Sequence, residues 1–271
     1  MTPITNRHAS VALLLMGTLA GCSGYEQNSV QSITGPLPGA FIRFANFSVS
    51  SPGVNFYAND IKLTAVATTV CSPPPTVPNP ACATTGVEST SGTAAGAFAT
   101  SSTGLYSAIA PGSYALSGRI AAATDKDLQI SKLSTTIENG KFYTYYQSGI
   151  YDATGKTTDA FIVADPIPPT IDYTQAYVRL VNAVASSQAV ILYARNQTSG
   201  TELAVGGSTA YKSASAFVAL PTGLYDLSTR SPDGINTITR TGVTFSAGRV
   251  YTVTARAATA TTFALDNTAN R

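Results

Sequence analysis

Ala40–Asn59 reads AFIRFANFSVSSPGVNFYAN, and 136 residues later Ala176–Arg195 reads AYVRLVNAVASSQAVILYAR. Ala40, Arg43, Asn46, Ser50, Ser51, Val54, Tyr57 and Ala58 return as Ala176, Arg179, Asn182, Ser186, Ser187, Val190, Tyr193 and Ala194. The aromatic and aliphatic positions between them correspond as well. Three more matches follow in the same order. Ala110–Leu116 (APGSYAL) pairs with Leu220–Leu227 (LPTGLYDL), Gly140–Thr144 with Gly248–Thr252, and Ile162–Asp165 with Phe263–Asp266. Four ordered matches imply two copies of one domain.

Each copy reads as all-β. Short segments rich in Val, Ile, Phe, Tyr and Thr are broken by Gly, Pro, Asn and Ser, with no amphipathic helical pattern among them. In the second copy these segments are Tyr177–Val184, Ala189–Ala194, Ala214–Leu220, Tyr225–Thr229, Ile238–Phe245, Val250–Ala255 and Thr261–Leu265. That number of strands in about 90 residues predicts an immunoglobulin-like β-sandwich. The expected fold is two tandem immunoglobulin-like sandwiches, at 39–165 and 175–271. A linker at 166–174, semi-rigid because of its prolines, joins them. Pro221–Tyr225 (PTGLY) places a bend before a Tyr-led strand, in the manner of a tyrosine corner.

At Tyr114 and Tyr225 the offset between copies falls to 111, so the first copy carries 25 extra residues. Cys71 and Cys82 lie in that insertion, flanking SPPPTVPNPA. An even pair of cysteines in an exported chain reads as a disulfide closing an extended, Pro-rich surface loop. The second copy lacks the pair, so the shared fold does not need it. The loop reads as a stapled, protease-resistant insertion or as a rigid recognition element.

Export is read from the N-terminus. Arg7 precedes the apolar run Val11–Ala20, too short to span a membrane, and Leu19-Ala20-Gly21-Cys22 has the form of a lipobox. Residues 1–21 are expected to be cleaved as a lipoprotein signal peptide. Cys22 is then lipidated, and 22–38 form a polar tether. Acylation at one residue by several chains gives stable membrane anchoring. Ser23 in place of Asp favours the outer membrane in a Gram-negative host.

The repeated motifs carry a resemblance. RLVNA, LPTGLYDL and FSAGRVYTVTA in the second copy, with APGSYAL and IENGKFYTYYQ in the first, resemble the bacterial domain of unknown function 4397. Its pattern opens on V-R-V-V-x-A-S-P, passes through L-P-A-G-x-Y and closes on L-x-A-G-x-x-Y-T. Ser50-Ser51-Pro52-Gly53 and Ser186-Ser187-Gln188-Ala189 depart from the acidic S-P-D-A-P form common in that family. The resemblance implies an exported β-sandwich, often on a lipoprotein, and no established activity, so it supplies no catalytic residues.

Composition excludes several chemistries. The formal charge is +2 over 271 residues with no basic run, so nucleic acid is not an expected partner. The single His is His8 and the two Met are Met1 and Met16, all in the segment read as cleaved, and there is no Trp. The mature chain therefore cannot build a Ser-His-Asp or Cys-His site, and it offers no imidazole to a metal. No cofactor and no metal site are expected. Asp125-Lys126-Asp127 is the densest acidic group but has too few oxygen ligands for a calcium loop, and it reads as a solvated turn. Gly155-Lys156-Thr157 lacks the Gly a phosphate-binding loop needs at position 150, where Ile150 stands. It reads as a hairpin turn before a strand at Asp159–Ala164.

One surface stands out. In Lys141-Phe142-Tyr143-Thr144-Tyr145-Tyr146, strand alternation sends Tyr143 and Tyr145 to the core and Phe142, Thr144 and Tyr146 outward. Phe142 and Tyr146 would be exposed aromatics able to stack on sugar rings. Alternatively, they pack on the insertion or on the second copy. The sequence thus points to a non-enzymatic cell-envelope lipoprotein, anchored to a membrane through Cys22, whose sandwiches form a binding or structural module. A cell-wall polysaccharide or an envelope protein would be its partner. A carbohydrate- or peptidoglycan-binding accessory is the alternative, and a carboxylate-based glycosidase a remote one.

Overall fold

β-branched and aromatic residues fill the segments between turn residues, and nearly all of these segments form strands. The computed structural model describes residues 39–63, 66–72, 81–87, 91–99, 106–185, 187–231 and 237–270. In the first copy the strands are β1 (Ala40–Asn46), β2 (Val54–Ala58), β3 (Ile61–Lys62), β4 (Val66–Ser72), β5 (Ala81–Val87), β6 (Ala97–Phe98), β7 (Ser107–Ile109), β8 (Gly112–Ile120), β9 (Gln129–Ile137), β10 (Phe142–Asp152) and β11 (Thr157–Ala164). In the second copy they are β12 (Gln175–Ala183), β13 (Val190–Asn196), β14 (Glu202–Thr209), β15 (Ser213–Ala214), β16 (Val218–Pro221), β17 (Gly223–Arg230), β18 (Ile238–Phe245), β19 (Val250–Ala257) and β20 (Phe263–Ala269). Cys22 and the tether lie outside the described residues.

The two copies match strand for strand. In the first, β11-β10-β1-β6, with β7 also on β1, faces β3-β2-β8-β9. In the second, β20-β19-β12-β15, with β16 also on β12, faces β14-β13-β17-β18. In each copy the first strand runs parallel to the penultimate one, pairing Arg43 with Thr144 and Arg179 with Thr252. The sandwich expectation holds, but the strand order differs from the constant-type immunoglobulin arrangement, where strands one, two, five and four share a sheet. Here the first strand sits with the last two. Residue patterns reveal strands but not their neighbours, so the sequence could not distinguish these orders.

Three expectations need correction. Ala214–Leu220 is two short strands, β15 and β16, which pair with the two ends of β12. β14 was not anticipated, because Gly206 and Gly207 and a largely exposed face hide its pattern. The fourth repeat match is displaced. Asp165 N–H donates to Phe142 O, and Asn270 N–H donates to Val250 O, so Asn270 rather than Asp266 is the counterpart of Asp165.

Each sandwich has its own core. Ile42, Phe44, Phe56, Leu116, Ile130 and Tyr145 fill the first, and Val178, Leu180, Leu192, Tyr225, Phe245 and Val253 fill the second. The repeated Asn and Ser pin the corner after the first strand. Asn46 Nδ2 donates to Thr93 O (2.9 Å) and Ser51 Oγ donates to Asn46 Oδ1 (3.0 Å). Asn182 Nδ2 donates to Thr209 O (3.1 Å) and to Ser187 Oγ (3.2 Å). The ribbon β4–β5 forms a two-stranded sheet of its own and marks the insertion.

Candidate functional site

Alternation along β10 is as expected: Tyr143 and Tyr145 enter the core of the first sandwich. The opposite face, however, is not open to solvent. Tyr146 has no exposure and sits with Ala45, Phe47, Phe161, Val163, Val181 and Ala183 in a third apolar cluster drawn from both copies. Tyr146 stacks on Phe161 (centroids 5.0 Å apart, planes 15°). The outward face of β10 is therefore the seam between the sandwiches, and Tyr146 is not a surface aromatic. Phe142, nearer the strand start, is half-buried. It stacks on Phe41 (4.7 Å, 13°) and meets the edge of Tyr106 (5.2 Å, 83°). Burial pushes the Tyr146 hydroxyl well above its ordinary pKa.

The seam is polar at the end where the first strands begin. Arg43 Nε donates to Thr144 Oγ1 (2.7 Å), and Thr144 Oγ1 donates to Asp165 Oδ2 (2.6 Å). The second copy repeats the chain: Arg179 Nε donates to Thr252 Oγ1 (3.1 Å), and Thr252 Oγ1 donates to Asn270 Oδ1 (2.8 Å). Two links cross between copies. Arg179 forms an ion pair with Asp165 and donates to Ala164 O (2.8 Å). Asn270 Nδ2 donates to Tyr106 Oη (2.8 Å), which donates in turn to Asp165 Oδ2 (2.7 Å). Burial, then the neighbouring Asp165 charge, raises the Tyr106 pKa. The ring of Tyr106 lies 4.8 Å from the Arg43 guanidinium, and the ring of Phe217 lies 4.8 Å from that of Arg179. Tyr106 and Phe217 stand at the offset of 111, a correspondence between unlike residues that the repeated motifs do not reveal.

The far end of the seam is joined by Tyr211. Its hydroxyl shares a hydrogen bond with Ser148 Oγ (2.9 Å) and donates to Asp159 Oδ2 (3.0 Å), while Lys212 Nζ pairs with Asp159 (2.7 Å). Arg256, held by Asp266, lies over the ring of Phe47 at 5.3 Å. The copies thus touch directly at both ends, and the Pro-rich linker does not hold them apart.

The outer faces carry a second repeated device. Arg119 covers the Tyr57 ring (4.5 Å) and pairs with Asp60. Arg230 covers the Tyr193 ring (4.2 Å) and pairs with Glu202 (2.6 Å). The Arg residues again lie 111 apart. Asp125 pairs with Lys156 (2.9 Å), and Asp127 accepts from Tyr57 Oη (2.8 Å), so the acidic turn is tied to the β10–β11 turn and to β2. Among the described residues no group of three or more His, Cys, Asp or Glu could hold a metal ion.

Two grooves flank the tyrosine corners. Tyr225 Oη donates to Pro221 O (2.7 Å), so the bend at Pro221–Tyr225 closes as expected, and Tyr114 Oη donates in the same way to Ala110 O (2.8 Å) in the first copy. A Cβ at Gly223 would lie 2.8 Å from Asn196 Nδ2, and its φ of 157° is one that L side chains rarely adopt, which accounts for glycine there. The groove beside Tyr225 has a volume of about 470 Å³ and is lined by Thr198, Ser199, Thr201, Leu203 and Thr222 among others. The groove beside Tyr114 encloses about 400 Å³ among Ser113, Ser134, Thr135 and Thr136. Apart from the engaged tyrosines, neither lining holds an ionisable side chain.

Cys71 and Cys82 are direct partners across the antiparallel β4–β5 ribbon. Strand partners of this kind bring Cα atoms within the range a disulfide spans.

Residues 176–271 match the family described as Domain of unknown function (DUF4397). That match spans β12 to β20, the second sandwich. No curated protein matches the chain. Among solved structures, a similar chain is titled a "putative cell adhesion protein" from Bacteroides fragilis NCTC 9343. It is 9% identical, with 86% of this chain and 98% of that chain covered and a TM-score of 0.24.

Proposed function

We propose that this protein is a non-enzymatic lipoprotein of the cell envelope, displaying the double sandwich as one rigid binding module. The observation that carries this reading is where the reactive side chains go. Arg179, Asp165, Ser148, Asp159 and Tyr211 are spent on joining the copies. The open grooves keep hydroxyls, an amide and Leu203, with no acid–base pair to move a proton. Such a lining binds neutral ligands through hydrogen bonds and apolar contact. Export and anchoring rest on the lipobox at Cys22, and the register of Cys71 with Cys82 supports a disulfide at the base of the Pro-rich loop.

Within this reading a neutral glycan is the favoured ligand class, and the groove beside Tyr225 replaces the Phe142/Tyr146 face as its site. Co-sedimentation of the full-length protein with purified envelope polysaccharides tests it. Wild type is retained and Leu203→Glu, on the groove wall, is released. Retention of both variants alike places binding elsewhere, and retention of neither removes the glycan reading. Loss of acyl labelling and of membrane association in Cys22→Ser tests the anchor separately.

A further inference from the structure

We propose that Arg43 holds a chloride-sized monoanion in the seam between the two sandwiches. The seam breaks the symmetry of the repeat. Arg43 and Arg179 are counterparts on β1 and β12, each donating through Nε to the counterpart threonines on β10 and β19. Arg179 is fully served, with Nη1 on Ala164 O and Nη2 on the Asp165 carboxylate. Arg43 is not. It is only 2% exposed, and neither Nη1 nor Nη2 has a hydrogen-bond partner, although both atoms are buried.

The sequence difference that leaves Arg43 without a counter-ion is a single position. Asp165 follows β11 and meets the arginine of the other copy. Its counterpart after β20 is Asn270, a neutral amide already engaged with Thr252 and Tyr106. The buried seam therefore holds two guanidinium groups and one carboxylate. A guanidinium keeps its charge at any working pH. Burying it without a counter-charge is costly. The rings of Tyr106 (4.8 Å) and Phe98 (5.1 Å) lie within cation–π range, but rings do not replace in-plane acceptors for four N–H groups. A small anion at the Nη fork supplies both the charge and the acceptor, as the Asp165 oxygen does for Arg179.

The anion site is independent of what the grooves bind. Its test is the thermal unfolding of the full-length protein in detergent, in sodium chloride or bromide against sodium gluconate at matched ionic strength. The expected result is a saturable rise in Tm with halide, on the scale of about 2–4 °C. Asn270→Asp, which restores the missing carboxylate, flattens that dependence and raises Tm in gluconate. Arg119→Met, on the outer face, keeps it. Arg43→Met also flattens it if the variant folds, and Asn270→Asp decides the matter if it does not. Equal Tm in halide and gluconate overturns the proposal and leaves the fork to water. A halide dependence that survives in Asn270→Asp overturns it as well, by placing the ion elsewhere.

Discussion

Arg179 of the second sandwich forms an ion pair with Asp165 at the end of the first, and both side chains are almost wholly buried (1% and 0% exposed). The carboxylate also accepts from Thr144 and Tyr106, so one residue at the edge of the linker organises both copies. Buried pairs add little over apolar packing, but breaking one partner strands the other. Asp165→Asn is therefore expected to cost about 3–5 kcal/mol in denaturant unfolding. The double change Asp165→Leu/Arg179→Met should recover most of that loss. Equal destabilisation by single and double variants would show that the pair is not the element at stake.

Tyr146 and Phe142 should separate by stability. Tyr146 fills the shared cluster, so Tyr146→Ala is expected to cost about 3–5 kcal/mol, as large aromatic truncations in cores do. Phe142 is half-buried, and Phe142→Ala should cost about 1–2 kcal/mol. Chemical denaturation of both variants checks the order.

Gly118 is fixed by its neighbour. A Cβ there would lie 2.2 Å from Gln147 Oε1 and 2.7 Å from Ser131 Oγ. The counterpart positions in the second copy hold Thr229, Ala255 and Ile238, so a larger residue on β17 faces a smaller one on β19. Gly118→Ala should destabilise by about 1–3 kcal/mol through overpacking. Adding Gln147→Ala should relieve the clash with the amide, at the cost of the hydrogen bonds to Asn46, Ser51 and Ser131.

Alkaline pH should open the seam. Burial raises the Tyr211 hydroxyl to about 12, and burial also raises those of Tyr106 and Tyr146. A tyrosine with a raised folded pKa contributes stability that is complete below the unfolded value of about 10 and is lost as pH climbs toward the folded one. Unfolding midpoints should therefore fall as pH rises from about 10 towards 12, together with tyrosinate absorbance. Tyr211→Phe should fall less steeply, and an unchanged slope would remove Tyr211 from the account.

The residues alone determined more about each sandwich than about the pair. Duplication was legible because each repeated residue acts locally. Asn46 and Asn182 pin a corner, and Tyr114 and Tyr225 close a bend. Alternation along β10 was legible because strand geometry forces it. What lies against the outward side of a strand is a different kind of fact. Thr144 and Tyr146 would face away from their own core with or without a second sandwich beside them. Only the tertiary structure decided that this side is covered, that Arg43 and Arg179 meet unequal partners, and that the first strand lies beside the penultimate one. Periodicity encodes which side of the backbone a residue occupies, whereas strand order and the docking of two faces arise from contacts between residues far apart in the chain, on which the local pattern carries no signal.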